Sequence, residues 1–347
     1  MTDLAFQSIA QLSAALEARA LDARELTRYA LARIEGPGRA LNAFVVVCGG
    51  DAMRAAEAAA ARAAAGRRLG PLDGIPVALK DNIDVAGMPT GNGFGGAAPW
   101  RVPTEDAEVT RRLRAAGAVI LGKLAMHEGA LGATNDNPHT GRTFNPHGPD
   151  RAPGLTPGGS SGGSAAAVGA GLCAAALGTD TGGSVRLPAA YCGVVGLKPS
   201  YGLVSPRGVV PLSYRLDHVG PLTRTVADAA LMLQVLAGFD PECPEARRFP
   251  PLALSGTPAS LAGLKLGVPR NLGDEPAEPA VLAAFRSACA VLERLGAAIE
   301  TVGLPTYDMA RGRRALLVRV EVEGAFIHGP LLAREPERFS PEMRGFL

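Results

Sequence analysis

The stretch Thr156-Pro-Gly-Gly-Ser-Ser-Gly-Gly-Ser164, the apolar run Ala165 to Leu177, and Gly178-Thr-Asp-Thr-Gly-Gly-Ser-Val-Arg186 carry the reading of this chain. Ser160 and Ser184 stand 24 residues apart, each in a glycine-rich turn. The run between them is shorter than the roughly 20 apolar residues of a membrane span and contains Gly169 and Gly171, so it predicts a buried helix of small residues over 165–177. Upstream, Lys80 sits in Asp73-Gly-Ile-Pro-Val-Ala-Leu-Lys-Asp-Asn-Ile-Asp84, in an apolar setting.

Two serines in glycine turns and one lysine among apolar residues are the parts of a Ser/Lys acyl-transfer site. A serine hydroxyl is a weak nucleophile and needs a base for its proton. Lysine is that base only as the neutral amine, which burial favours. A tetrahedral intermediate needs donors aimed at its oxyanion, and consecutive backbone N–H groups can serve. Glycines at 182 and 183 allow the backbone to approach a substrate and turn concavely. Of 35 Lys+Arg only Lys80, Lys123, Lys198 and Lys265 are lysines. Arginine cannot act as a general base, so a lysine retained in such a chain points mildly to a use for its titratable amine.

Other readings of these segments are weaker. Gly158 to Gly163 has linker composition, but an apolar Ala-rich run follows at once instead of a second domain. Neither glycine segment ends in the Gly-Lys-Ser/Thr of a phosphate loop. Gly91-Asn-Gly-Phe-Gly-Gly96 matches G-x-G-x-x-G but leads into Ala-Ala-Pro-Trp-Arg-Val-Pro, not a helix. The five histidines, at 127, 139, 147, 218 and 328, lack metal-ligand spacing, and neither Ser160 nor Ser184 sits in a G-x-S-x-G elbow. No metal and no cofactor is expected.

At 347 residues, 47% hydrophobic and with a formal net charge of +2, the chain can bury a large core, and its charge argues against an obligate nucleic-acid binder or a strongly basic membrane-surface protein. Cys48, Cys173, Cys192, Cys243 and Cys289 are odd in number and scattered, which suits reduced thiols; with no secretory signal or spanning segment read, a cytoplasmic protein is expected. Two amphipathic helices are expected over about 8–35, a strand over 41–47, a helix over 52–67, an extended segment over 75–85, a helix over 105–116 and a buried strand over 118–121. The polar stretch 135–157 is expected as a loop over the site; further helices are expected at 226–236, 277–295 and 311–324, with strands at 263–268 and 298–302. The alternation indicates an α/β layered fold.

The chain resembles the amidase signature family of Ser–cisSer–Lys hydrolases. The resemblance rests on Lys80 in Gly-Ile-Pro-Val-x-Leu-Lys-Asp-Asn, on Pro157 to Ala165, on Gly178 to Arg186, and on Pro188-Ala-Ala-Tyr-Cys-Gly-Val-Val-Gly-Leu-Lys-Pro199; it runs from about 72 to 238. It implies a mixed central β-sheet covered by helices on both faces, in one amidase domain: a helical region over 1–66, a catalytic core over 67–240, and a C-terminal part over 241–347 that is shorter than in the family, so the fold and pocket wall are expected to be incomplete there. It implies Ser184 as the acylated nucleophile, Ser160 after a cis bond as the bridge, neutral Lys80 as the base, and the N–H groups of Thr181, Gly182, Gly183 and Ser184 as oxyanion hole. Ser161, Asp180 and Arg186 fall where the family has supporting polar residues. The implied activity is hydrolysis of a carboxylic amide, with a small-molecule substrate, no direct nucleic-acid or membrane partner, and a homo-oligomer left open. One branch of the family is the glutaminase subunit of tRNA-dependent amidotransferases. That branch carries an Ala-Glu-Ala-Ser-Ser-Asn-type segment where this chain has Arg319-Val-Glu-Val-Glu-Gly-Ala-Phe326, which favours a stand-alone amidase; the alternative is the glutaminase component of an amidotransferase.

Overall fold

In the computed structural model, Ser8 opens α1 (Ile9–Glu17) with a capping box: its side chain accepts from Gln11 N, and the Gln11 side chain accepts from Ser8 N. Ile9, Leu12 and Leu16 lie on the buried face. Asp22 caps α2 (Ala23–Glu35) through Arg24 N. Then follow β1 (Phe44–Val47), α3 (Gly49–Ala64), β2 (Pro76–Lys80), α4 (Glu108–Ala115) and β3 (Val119–Leu124). The short strands β4 (Asp136–Asn137) and β5 (Gly141–Arg142) pair within the segment expected to be a loop. After them come α5 (Gly162–Gly169), β6 (Ala175–Asp180), α6 (Arg186–Cys192), β7 (Val195–Gly196), β8 (His218–Thr223) and α7 (Val226–Leu236). The chain continues with β9 (Lys265–Pro269), α8 (Pro279–Arg294), β10 (Ala298–Val302), α9 (Met309–Arg334) and α10 (Pro341–Phe346). The structure describes residues 3–96, 99–148, 154–252, 254, 260–270, 277–304 and 308–347.

Six strands form a mixed sheet in the order β1-β3-β2-β6-β8-β7. β2 runs parallel to both β3 and β6, while β1, β8 and β7 each pair antiparallel to a neighbour. Alternation along β2 divides the core. Val77 and Leu79 join a cluster with α1, α4 and α7 residues such as Leu12, Leu113 and Met232. Ala78 joins a second cluster with Ala52 and Ala56 of α3 and Ala165 to Val168 of α5. Helices therefore pack on both faces of the mixed sheet, as expected.

One expected element divides in two. The helix read over 165–177 is α5, ending at Gly169, followed by the buried strand β6 from Ala175. Gly171 adopts φ +66° and turns the chain between them. A run of alanines suits either element when wholly buried, because periodicity vanishes where every side faces protein. The break also sets positions: β6 carries the chain through the sheet to Asp180 and delivers residues 181–184 beyond its carboxyl end.

The chain forms two compact units, one of residues 1–252 with 318–347 and one of residues 253–317. In the second, β9 and β10 pair in parallel in register Lys265↔Ala298 to Pro269↔Val302. Among the described residues no helix is long and apolar enough to cross a membrane.

Candidate active site

Lys80 is the last residue of β2 and is wholly buried. One residue before it, Leu79 pairs with Leu177 of β6, which brings the end of β2 beside the Gly178-Thr179 stretch of β6. Glycine at 178 makes room there, since a Cβ would stand 2.7 Å from Ser161 Oγ. The Lys80 Nζ lies 2.8 Å from Ser160 Oγ and donates to Thr179 Oγ1 at 2.7 Å. Burial drives the amine from the usual 10.5 down to about 7, against the attraction of the Asp217 and Asp180 carboxylates. A substantial fraction is therefore the neutral amine near neutral pH.

Ser160 and Ser161 are both fully buried in the loop leading into α5, and the Gly159–Ser160 peptide bond is cis. Ser161 holds the loop to β6: its Oγ donates to Thr179 O and accepts from Thr179 N, both at 3.2 Å. Its N–H donates to Ser184 O at 3.3 Å. The turn that carries Ser184 is thus tied to the Ser160 loop through a backbone hydrogen bond.

Asp180 organises that turn. Its carboxylate accepts from Gly183 N (2.8 Å), Val185 N (3.1 Å) and Arg186 N (3.3 Å), and from Arg186 Nε at 3.0 Å and Nη2 at 2.9 Å. Burial opposes its charge, but the Arg186 guanidinium and these N–H donors prevail and hold the carboxyl below its usual value. Gly183 adopts φ +135°, a conformation that favours glycine. With the Gly183 N–H engaged by Asp180, the N–H groups of Thr181, Gly182 and Ser184 have no protein partner among the described residues.

Lys80 and Ser160 are in hydrogen-bond contact, and Ser161, Asp180 and Arg186 surround them as described. Ser184 is half-buried, and its hydroxyl makes no hydrogen bond to Ser160 or to any other described side chain. Catalytic hydrogen bonds often close only when substrate is bound.

Three further residues belong to this cluster, and sequence reasoning does not single them out. Thr179 bridges Lys80 and Asn82, whose Nδ2 donates to Thr179 Oγ1 at 3.1 Å. Asp217 accepts from Thr181 Oγ1 at 2.6 Å and from Leu212 N and Ser213 N; burial pushes its carboxyl up despite those donors. Thr179 and Asn82 lie inside the quoted motifs, one and two residues from named positions. Asp217 has no local signal, because its partner Thr181 is 36 residues away. A cavity of about 350 Å³ opens beside Asp217, lined also by Arg207, Tyr214, Glu242 and Cys243; neither serine lines it.

Comparison with known proteins identifies the family. A family model described as Amidase matches residues 25–322. The A subunit of glutamyl-tRNA(Gln) amidotransferase from Anaeromyxobacter dehalogenans (strain 2CP-C) is 45% identical over 312 residues, 90% of this chain and 62% of the relative. The chain thus spans about three-fifths of the length of the curated relatives it matches. A crystal structure described only as that of an amidase superposes with TM-score 0.84 at 37% identity, covering 98% of this chain and 73% of that one. The A subunit of glutamyl-tRNA(Gln) amidotransferase from Thermotoga maritima superposes with TM-score 0.76 at 31% identity, covering 97% of this chain and 75% of that one. With the family model matched over most of its length and a solved amidase sharing more than a third of its residues, the chain belongs to the amidase family.

Proposed function

We propose that this chain cleaves a carboxylic amide through an acyl-enzyme on Ser184, and that the amide is the side chain of glutamine, as in the A subunit of an amidotransferase. The observation that carries the chemistry is the buried Lys80 amine, brought to about 7 and 2.8 Å from Ser160 Oγ. Ser184 Oγ attacks the carbonyl carbon while its proton passes to Ser160, and the Ser160 proton passes to Lys80 Nζ. The oxyanion is received by backbone N–H groups of the turn, for which Thr181, Gly182 and Ser184 are free. The C–N bond then breaks as the proton returns along the same path to the leaving nitrogen, releasing ammonia. Water, or an acceptor in a complex, completes the cycle.

The choice of glutamine departs from the stand-alone reading that Arg319 to Phe326 favours. The curated relatives that match over 88–90% of this chain at 43–46% identity are amidotransferase A subunits, which supports a component that works with partner chains. A free-standing amidase is the second reading, favoured by the closer superposition on the solved amidase, 0.84 against 0.76.

Ammonia release from L-glutamine and from simple primary amides distinguishes the two, measured on the chain alone and with amidotransferase partner subunits and aminoacylated tRNA. Glutamine turnover raised by the partners is expected; turnover of simple amides by the chain alone at a higher rate would favour the free-standing enzyme. Ser184→Ala should abolish release in either case while leaving the melting temperature unchanged. Normal turnover by that variant would refute the assignment.

A further inference from the structure

We propose that Thr179 is a positioning residue for the proton relay: its Oγ1 takes one N–H of the neutral Lys80 amine and so directs the amine lone pair at Ser160. The proposal rests on the hydrolase reading above and deepens it. A neutral amine has two N–H bonds and one lone pair, and only the lone pair can receive the Ser160 proton. If the Thr179 hydroxyl donated to Nζ instead, it would occupy that lone pair and stop the relay.

The surroundings hold the Thr179 hydroxyl against the amine. Asn82 Nδ2 lies 3.1 Å from Thr179 Oγ1 and fixes the place of that hydroxyl. The other polar neighbour of that oxygen is Lys80 Nζ at 2.7 Å. Asn82 is itself buried and anchored, since Val210 N donates to Asn82 O at 2.8 Å and Asn82 Nδ2 reaches Val210 O at 3.5 Å. Thr179 is clamped by the reciprocal Ser161 hydrogen bonds, and Ser161 is the residue after Ser160. Thr179 thus joins the base to Asn82 through its hydroxyl, and to the loop of the bridging serine through its backbone.

The same oxygen stabilises the ammonium once the proton arrives, because a hydrogen bond from a charged donor is stronger than one from a neutral donor. The other charged or titratable groups that act on Lys80 are Asp180 at the end of β6, Asp217 before β8, and His127 after β3. Asp180 is paired with Arg186, and Asp217 is held by Thr181 and two backbone N–H groups, so neither needs Thr179 as a partner.

The test reads the nucleophilicity of Ser184 without knowledge of the amide. A fluorophosphonate is attacked by serine: an O–P bond forms, fluoride leaves, and the serine proton enters the relay. Labelling rates of wild type, Thr179→Val and Thr179→Ser would be followed from pH 5 to 9, with the labelled residue identified by mass spectrometry and folding checked by thermal melting. Thr179→Val is expected to slow labelling by about tenfold or more, the order seen when a catalytic group is misplaced. It should also move the acid limb to lower pH, since an acceptor for the ammonium is lost. Thr179→Ser, which keeps the oxygen, should restore both. A Thr179→Val protein with unchanged rate and limb overturns the proposal, as does a slower rate with an unmoved limb, or failure of Thr179→Ser to restore. If Thr179→Val does not fold, Asn82→Leu replaces it and must slow labelling; unchanged labelling by that variant overturns the proposal. Absence of label on Ser184 in wild type overturns the hydrolase reading itself, and this proposal with it.

Discussion

Lys80 on β2 and Lys123 on β3 are both wholly buried, on strands paired in parallel, yet they have opposite surroundings. Leu79 pairs with Lys123 and Lys80 with Leu124, so the two amines leave the sheet on opposite faces. Lys123 meets the Asp81 carboxylate at 3.0 Å, with Pro89 O and Thr90 Oγ1 each at 3.2 Å. Among the described residues Lys80 meets only the hydroxyls of Ser160 and Thr179. A buried ammonium is tolerated where a carboxylate neutralises it, and is driven towards the free amine where neutral oxygens are its only direct partners. The difference lies in which partner the fold supplies.

The largest expected effect tests the catalytic side of that contrast. Lys80→Met keeps length and removes the amine; amide turnover should fall by about 10²–10⁴, the usual contribution of a general base. Lys80→Arg should be nearly as damaging, because a guanidinium stays protonated. Lys123→Met should leave the pH dependence of any residual turnover unaltered. Substantial activity in Lys80→Arg would show that positive charge, not a free amine, is what the site needs.

The next effect is on stability and has the reverse order. Lys123→Met strands the Asp81 carboxylate, whose pKa burial already pushes up, and removing one member of a buried pair costs about 3–5 kcal/mol. Lys80→Met leaves only hydroxyls behind and should be neutral or stabilising. Urea unfolding of the three proteins at pH 7 checks this; equal losses in both variants would mean that the two lysines are structurally equivalent.

Much of this contrast is hidden in the sequence, where Lys80 falls in the extended segment expected over 75–85 and Lys123 falls beyond the strand expected over 118–121. Lys80, Ser160 and Ser184 stand out because glycine-rich turns and an isolated lysine are locally unusual. The helix at 226–236 and the strand at 298–302 follow from patterning that the fold preserves. What does not follow depends on distant pairing. Thr179 reaches Lys80 across 99 residues, and Asn82 reaches Thr179 across 97, through a register that sets β2 beside β6. The β6 strand itself reads as helix because an alanine-rich, wholly buried segment has no polar face to report its period. Likewise nothing local distinguishes Asp81, which neutralises Lys123, from Asp84, which meets Arg101.

A pH series sharpens the same comparison. The folded chain holds Lys80 at about 7 while the unfolded chain holds it near 10.5. Between those values the unfolded state binds about one more proton, so stability from this group rises with pH by about 1.4 kcal/mol per unit; below about 7 its cost is constant. Lys80→Met should remove that slope, so its advantage over wild type shrinks from about pH 7.5 to about pH 9.5. A constant difference across the series would mean that Lys80 remains charged when folded.

The smallest effect asks whether a hydroxyl means the same thing on both faces. Thr90 Oγ1 is one of three oxygens around Lys123, and the Asp81 carboxylate and Pro89 carbonyl remain if it is removed. Thr90→Val should therefore cost about 0.5–1.5 kcal/mol, the net worth of one hydrogen bond, and leave the acid limb of the labelling profile in place. The matching change at Thr179 removes one of the two direct partners that Lys80 has among the described residues, neither of them a carboxylate, and should move that limb. If Thr90→Val also shifted the limb, Lys123 would be coupled to the proton relay through the sheet, and the separation of a structural lysine from a catalytic one would fail.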